Sequence, residues 1–287
     1  MRIDQLLNRD TVTFSCELFP PKIGTDLAHV KTVVREIAEL KPDFISVTYG
    51  AGGSTSKRTV EIAADIQSYG IPALAHLTCI SATRGQVASM LDDFRANHIE
   101  NILALRGDMP QDANFAPPME YRYASELIED IKSQNEFCIG AACYPDGHVE
   151  CEHKEADIDY LKRKVDSGCD FLTTQMFFDN NVFYNFLYRI LRKGINIPVI
   201  AGVMPVINSK QIRRSCELSG TALPPRFKAI TDKFADNPPA MKQAGIAYAT
   251  EQIIDLISNG VSHIHLYTMN RPEIAREIMG NLSEIIR

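Results

Sequence analysis

With 287 residues, 45% of them hydrophobic and 23% charged, the chain can bury a large core and has the composition of a globular enzyme. A formal net charge of -6 argues against a nucleic-acid surface, which needs clustered Lys and Arg. No apolar run reaches the ~20 residues of a membrane span, and Met1-Arg2-Ile3-Asp4 lacks a secretory signal pattern; both predict a soluble cytoplasmic protein with no nucleic-acid or membrane partner.

Runs rich in β-branched and aromatic residues at 11–18, 44–48, 73–80, 102–105, 138–143, 171–175, 198–202 and 263–267 predict strands. Helical faces alternate with them. Leu27, Val30, Val34, Ile37 and Leu40 mark the first, opened by Thr25-Asp26; Val60, Ala63 and Ile66 the next, ended by Gly70; Val87, Met90, Leu91 and Phe94 a third. Ile158, Leu161 and Val165 mark another, with Asp157 near its start and Gly168 near its end. Strict alternation requires parallel strands with crossover helices, and about eight strands in this length favour a closed TIM-type (β/α)8 barrel with extra helices over an open sheet. No linker composition interrupts residues 1–287, which predicts a single domain.

Polar, chemically able residues recur at the strand ends, where a barrel of this kind assembles its active site. Glu17 sits among Phe14, Leu18 and Phe19, a setting that predicts a desolvated carboxyl with a raised pKa, suited to a general acid; the alternative is an exposed strand-end Glu. Thr48-Tyr49-Gly50-Ala51-Gly52-Gly53-Ser54-Thr55 is a Gly-rich loop feeding a helix, without the Lys of a phosphate-binding loop or the spacing of a dinucleotide fingerprint. His76 lies within a strand, as a core residue or as a donor to a ligand. Arg106-Gly107-Asp108 reads as a turn or as a buried charge pair partnered by a polar ring. Lys162-Arg163-Lys164 is a solvated face or a pyrophosphate clamp, with spacing favouring solvent. Gln175 can read a heterocycle edge or close a strand. Seven cysteines form no Cys-x-x-Cys pair and are expected as buried free thiols. Cys143, His148, Cys151 and His153 fit no closed zinc spacing, so no metal is expected.

Taken together, Glu17-Leu18-Phe19-Pro20-Pro21-Lys22, Ser46-Val47-Thr48-Tyr49-Gly50-Ala51, Ala75-His76-Leu77-Thr78-Cys79, Leu105-Arg106-Gly107-Asp108, Ala142-Cys143-Tyr144-Pro145, Leu161 to Gly168, Thr174 to Asp179 and Tyr267-Thr268-Met269-Asn270-Arg271 resemble methylenetetrahydrofolate reductase in its short bacterial, catalytic-domain form. The resemblance implies a barrel carrying non-covalent FAD, reduced by NADH or NADPH and reoxidised by methylenetetrahydrofolate. It implies that Glu17 is the general acid and that Asp108 lies beside the flavin and folate rings. It implies FAD contacts at Thr48, Tyr49, Ala51, His76, Arg106, Gly107, Asp108, Ala124, Tyr144, His148, Asp157, Arg163 and Lys164, which turns the basic run from solvent toward phosphate. Folate contacts are implied at Gln175, Gln211 and Arg271. Ser215 falls where the family often has a stacking Phe, and the loop 151–155 also departs from the pattern. The chain ends at Arg287, so no regulatory domain is expected; a homo-oligomer is.

Two other classes use the same strand ends. A non-flavin barrel lyase or aldolase would employ Glu17, His76 and Asp108 in acid/base work, and a pterin-binding methyl-carrier protein would hold folate without a redox step. A flavin spectrum separates them. The electron donor stays open among NADH, NADPH and a partner protein, because no fingerprint places a ribose-reading acid.

Overall fold

A computed structural model describes residues 1–21, 27–49, 56–109 and 118–286. Strands β1 (Thr13–Leu18), β2 (Phe44–Val47), β3 (Ala73–Thr78), β4 (Asn101–Leu105), β5 (Cys138–Cys143), β6 (Phe171–Thr174), β7 (Val199–Val203) and β8 (His263–Tyr267) pair in parallel in chain order, and β8 closes onto β1. Helix α1 (Ile3–Leu6) precedes β1, and α2 (Leu27–Ala38), α3 (Ser56–Ser68), α4 (Arg84–Ala96), α5 (Ala124–Ser133), α6 (Lys154–Asp166) and α7 (Asn180–Arg192) fill the crossovers. Three helices, α8 (Ser209–Ser219), α9 (Pro225–Lys233) and α10 (Pro238–Ser258), lie between β7 and β8, and α11 (Pro272–Asn281) follows. This is the expected TIM-type barrel with extra helices. The first strand begins at Thr13 rather than residue 11, because its amide is the first there to join the ladder, donating to Ser262 O at 2.7 Å. Thr25-Asp26, the expected opening of α2, lies outside the described residues.

Period-two alternation sorts the strand residues into two cores. Phe14, Cys16, Leu18, Ile45, Val47, Ala73, Ala75 and Leu77 face outward and pack against the helices. Phe44, Leu74, Leu103, Cys138, Phe171 and Ile200 face inward and fill the barrel. Burying each large side chain contributes about 1.5–3 kcal/mol. Small residues make that filling feasible: a Cβ on Gly140 would lie 2.4 Å from the Phe171 ring. Ile3, Leu6 and Leu7, all buried, join the inner cluster and stopper the end where the strands begin. Among the described residues no comparable apolar stopper closes the other end.

By the same parity Ser15, Glu17, Ser46, His76, His265 and Tyr267 point inward above that floor, toward the open mouth. Helix α10 bears on the exit of β7 at Gly245, where a Cβ would fall 1.7 Å from Val206 O. The helix therefore packs backbone to backbone on the loop that follows β7, which no other residue type permits.

Candidate active site

Glu17 is paired in register with Ser46 on one side and Tyr267 on the other, which sets its carboxylate among the inward side chains of β2, β3 and β8. Its Oε2 is 3.6 Å from His76 Nε2, 3.7 Å from His265 Nε2 and 3.4 Å from the Ser46 hydroxyl. His265 is held from behind. The Ser15 hydroxyl donates to Ile264 O at 3.1 Å, and its oxygen lies 2.7 Å from His265 Nδ1. The other ring nitrogen, Nε2, faces Ser46, 3.3 Å away, and Glu17. Phe44 stacks on the same ring, with centroids 6.0 Å apart.

Burial pushes the Glu17 carboxyl up, but His265, His76 and Ser46 together outweigh it and hold the group below its ordinary value. The sequence predicted a raised pKa. The correction arises because the partners come from β2, β3 and β8, distant in sequence, and stabilise the anion more than desolvation destabilises it. Burial drives His76 down to about 4, so its ring is neutral at neutral pH, and the downward pull on Glu17 there rests on His265 and Ser46.

His76 has a stability consequence. Its folded pKa of about 4 lies below the unfolded value of 6.5, so between these the unfolded chain binds more protons. Stability from this group is full above pH 6.5 and is lost as pH falls to about 4, by at most ~3 kcal/mol. A thermal melting series over that window should fall more steeply for the parent than for His76→Gln; parallel curves would remove His76 as the cause.

Around the mouth, Arg106 forms a bidentate pair with Glu150, at 2.6 and 2.7 Å, and Asp108 stands exposed. Of the two sequence readings, the buried Arg106–Asp108 pair does not form; Arg106 instead reaches across to Glu150 in the loop after β5, whose carboxylate presents both oxygens to the guanidinium fork. Gly107 has φ +82°, and a Cβ there would lie 2.9 Å from Thr78. Tyr144 packs edge-on against His148, whose amide donates to Asp157 at 3.3 Å. Lys164 is half-buried and donates to Ala142 O at 2.7 Å at the end of β5. Burial lowers its pKa. Arg163 is exposed and lies over the Tyr160 ring, so Arg163 and Lys164 face differently. Ala124 is the buried first residue of α5, and Thr48 and Tyr49 are half-buried after β2; Ala51 lies outside the described residues.

Gln211 and Arg271 line one cleft of about 660 Å3, open to solvent, between the loop after β7, helix α8 and the loop after β8. Ser215 is on its wall. Gln175 instead borders a smaller space of about 140 Å3 with Tyr144 and Met176; its Oε1 accepts from Met176 N at 2.9 Å, leaving the NH2 group as a donor. Sequence reasoning missed Ser15, Ser46, His265 and Tyr267, although the alternation in His263-Ile264-His265-Leu266-Tyr267 marks polar side chains aimed inward.

All seven cysteines are free, and five of them are buried. Among the described residues the one group with metal-ligand convergence is Asp4, Cys138 and Asp170 at the stoppered end. Arg2 and Lys132 pair with its carboxylates. Cys143, His148, Cys151 and His153 form no such group among the described residues. No helix among them is long and apolar enough to cross a membrane.

A profile of the family described as methylenetetrahydrofolate reductase matches residues 2–283. The chain is 35% identical to the 5,10-methylenetetrahydrofolate reductase of Escherichia coli over 94% of its own length and 90% of that protein. It is 34% identical to the enzyme of the same name from Pectobacterium carotovorum, covering 97% and 92%. Against methylenetetrahydrofolate reductase (NADH) 1 of Arabidopsis thaliana it is 33% identical over 99% of this chain, which spans 50% of that relative. A solved structure of a Clostridium thermocellum protein that binds two copies of 5-methyl-5,6,7,8-tetrahydrofolic acid shares the fold, with TM-score 0.66 at 14% identity and 98% of each chain covered.

Proposed function

Because the chain belongs to the methylenetetrahydrofolate reductase family, we propose that it reduces methylenetetrahydrofolate to methyltetrahydrofolate at the open end of its barrel, using bound FAD and NADH or NADPH. The observation that carries this reading is the Glu17 carboxyl set at the base of that mouth against Ser46, His76 and His265. The residues fit a flavin. His76 Nε2 is buried with no hydrogen-bond partner among the described residues, and Lys164 is a half-buried cation. Thr48, Tyr49, Ala51, His76, Arg106, Gly107, Ala124, Tyr144, His148, Asp157, Arg163 and Lys164 would hold the cofactor, with Arg163 and Lys164 serving its phosphates. Bound FAD supplies hydride transfer from the pyridine nucleotide to the folate.

The protein's own part is acid chemistry and orientation. A flat ligand covering the mouth removes the solvent that still reaches Glu17, whose side chain is 19% exposed, and shifts the carboxyl upward toward its acid form. Glu17 then gives its proton to the amine that departs as the methylene bridge opens to an iminium. His265, backed by Ser15, orients the carboxyl. Gln175 donates to the heterocycle edge, Asp108 sets a negative charge beside it, and Gln211 and Arg271 serve the far end of the folate.

The test is a pair of half-reactions on the FAD-loaded protein. Anaerobic NADH or NADPH should bleach the flavin, and methylenetetrahydrofolate should restore its colour with one methyltetrahydrofolate formed per flavin. A protein that takes up no flavin, or whose reduced form does not respond to the folate, overturns the reading.

A further inference from the structure

Phe19 is the residue to which the geometry assigns a role not yet described. It follows Glu17 by two positions and is the first residue beyond β1, at the mouth end of the barrel. Leu18 beside it is fully buried, whereas Phe19 is 37% exposed and belongs to none of the hydrophobic clusters. Its ring borders the cleft that holds Gln211 and Arg271. Among the described residues lining that cleft it is the only aromatic, since Ser215 on the wall carries no ring.

The backbone of Phe19 is gripped from β8's exit. Asn270 Oδ1 accepts from Phe19 N at 3.0 Å, and Asn270 Nδ2 donates to Phe19 O at 2.8 Å, so one amide engages both polar groups of one residue. Thr268 Oγ1 donates to Glu17 O at 2.6 Å and accepts from Asn270 N at 3.2 Å. To make this grip, Met269 and Asn270 both adopt left-handed backbone, φ +53° and +55°. Two successive non-glycine residues in that region are strained, and such strain persists where the surroundings over-determine it, often at functional sites.

We propose that Phe19 is the aromatic wall against which the flat arylamine part of the folate packs, and that Asn270 is the positioning residue that presents it. The inference rests on the folate reading above. It commits to this occupant on two grounds: the described residues of the cleft offer one aromatic face, and the cleft carries the Arg271 guanidinium at an exposed rim, the complement of the glutamate carboxylates joined through an amide to the folate's aryl ring. The residue that carries the ring is two positions from Glu17, whose carbonyl the same loop holds through Thr268. Asn270 thereby sets the height of the ligand relative to the acid.

The experiment is calorimetric titration of methyltetrahydrofolate into the FAD-loaded protein, with variants of matched thermal midpoint. Phe19→Leu keeps the apolar volume and loses the ring, and should weaken binding about three- to tenfold; Phe19→Tyr should bind like the parent. Asn270→Gly deletes the amide while glycine adopts φ +55° without cost, and should weaken binding by a similar factor. If Asn270 acts through Phe19, the double variant should be no more than about twofold worse than Phe19→Leu alone. Binding by Phe19→Leu equal to the parent's overturns the role of the ring, and losses that multiply in the double variant overturn the presenting role of Asn270. A parent that binds no methyltetrahydrofolate overturns the folate reading itself, a result distinct from either failure in the variants.

Discussion

Glu17→Gln is expected to slow the folate half-reaction by about 10²- to 10⁴-fold, the usual worth of a positioned general acid, while reduction by the pyridine nucleotide stays within about threefold. The asymmetry follows from the chemistry of the two steps. A hydride leaving nicotinamide needs no proton at this carboxyl, whereas opening the methylene bridge needs one. Glutamine keeps the shape and can still accept from Ser46, so the packing around His265 and His76 survives. The pH dependence has a definite sign. The carboxyl sits below its ordinary value when the mouth is open and is shifted upward by the ligand, so the folate step in the parent should slow as pH rises through the ligand-bound pKa. The variant should lose that slope. Stopped-flow traces of the two half-reactions across pH decide it, and equal losses in both would remove Glu17 from the acid role.

Gly245→Ala is expected to have the largest structural effect of any single methyl group added on this face. Its Cβ would sit 1.7 Å from Val206 O and 2.6 Å from the same residue's carbonyl carbon, contacts with backbone that no rotamer change relieves. Either α10 lifts or the loop after β7 moves, at about 1–3 kcal/mol or more, which in a protein of this size lowers the thermal midpoint by roughly 2–5 °C or more. Val206 and its neighbours line the cleft of Gln211 and Arg271, so the Michaelis constant for the folate should rise together with the loss of stability. Gly280→Ala in α11 supplies the contrast, because nothing lies within 4 Å of its added Cβ. It should be neutral or stabilising by up to about 1 kcal/mol. A Gly245→Ala protein that melts with the parent would mean that the helix and loop separate without cost.

The eight strands were legible because parallel strands buried on both faces read as short apolar runs, and each lies within two residues of its expected limits. Glu17 and His76 were legible as polar interruptions of such runs. The electrostatics of Glu17 were not, since His265 is 248 positions away in sequence and reaches it only through closure of β8 onto β1. Arg106 illustrates the same limit: its neighbour in sequence was Asp108, but the carboxylate with the geometry to fill its fork belongs to Glu150. The cleft is built from loops and from helices outside the βα repeat, so its residues were visible only through family resemblance. Phe19 and Asn270 carried no signal of their own, because a hydrogen-bonded grip between two loops leaves no periodicity behind.

The stoppered end of the barrel has a bearing on how often the acid can fire. Ile3, Leu6 and Leu7 shut the floor with apolar side chains, so among the described residues the Glu17 carboxyl meets solvent from the mouth. A ligand lying across the mouth turns that carboxyl into a closed account holding a single proton. Once delivered, it has no route of renewal until the product leaves. On the proposed reading, each opening of the mouth would rearm Glu17 for one turnover, and recharging the acid would be coupled to product departure by the architecture of the barrel.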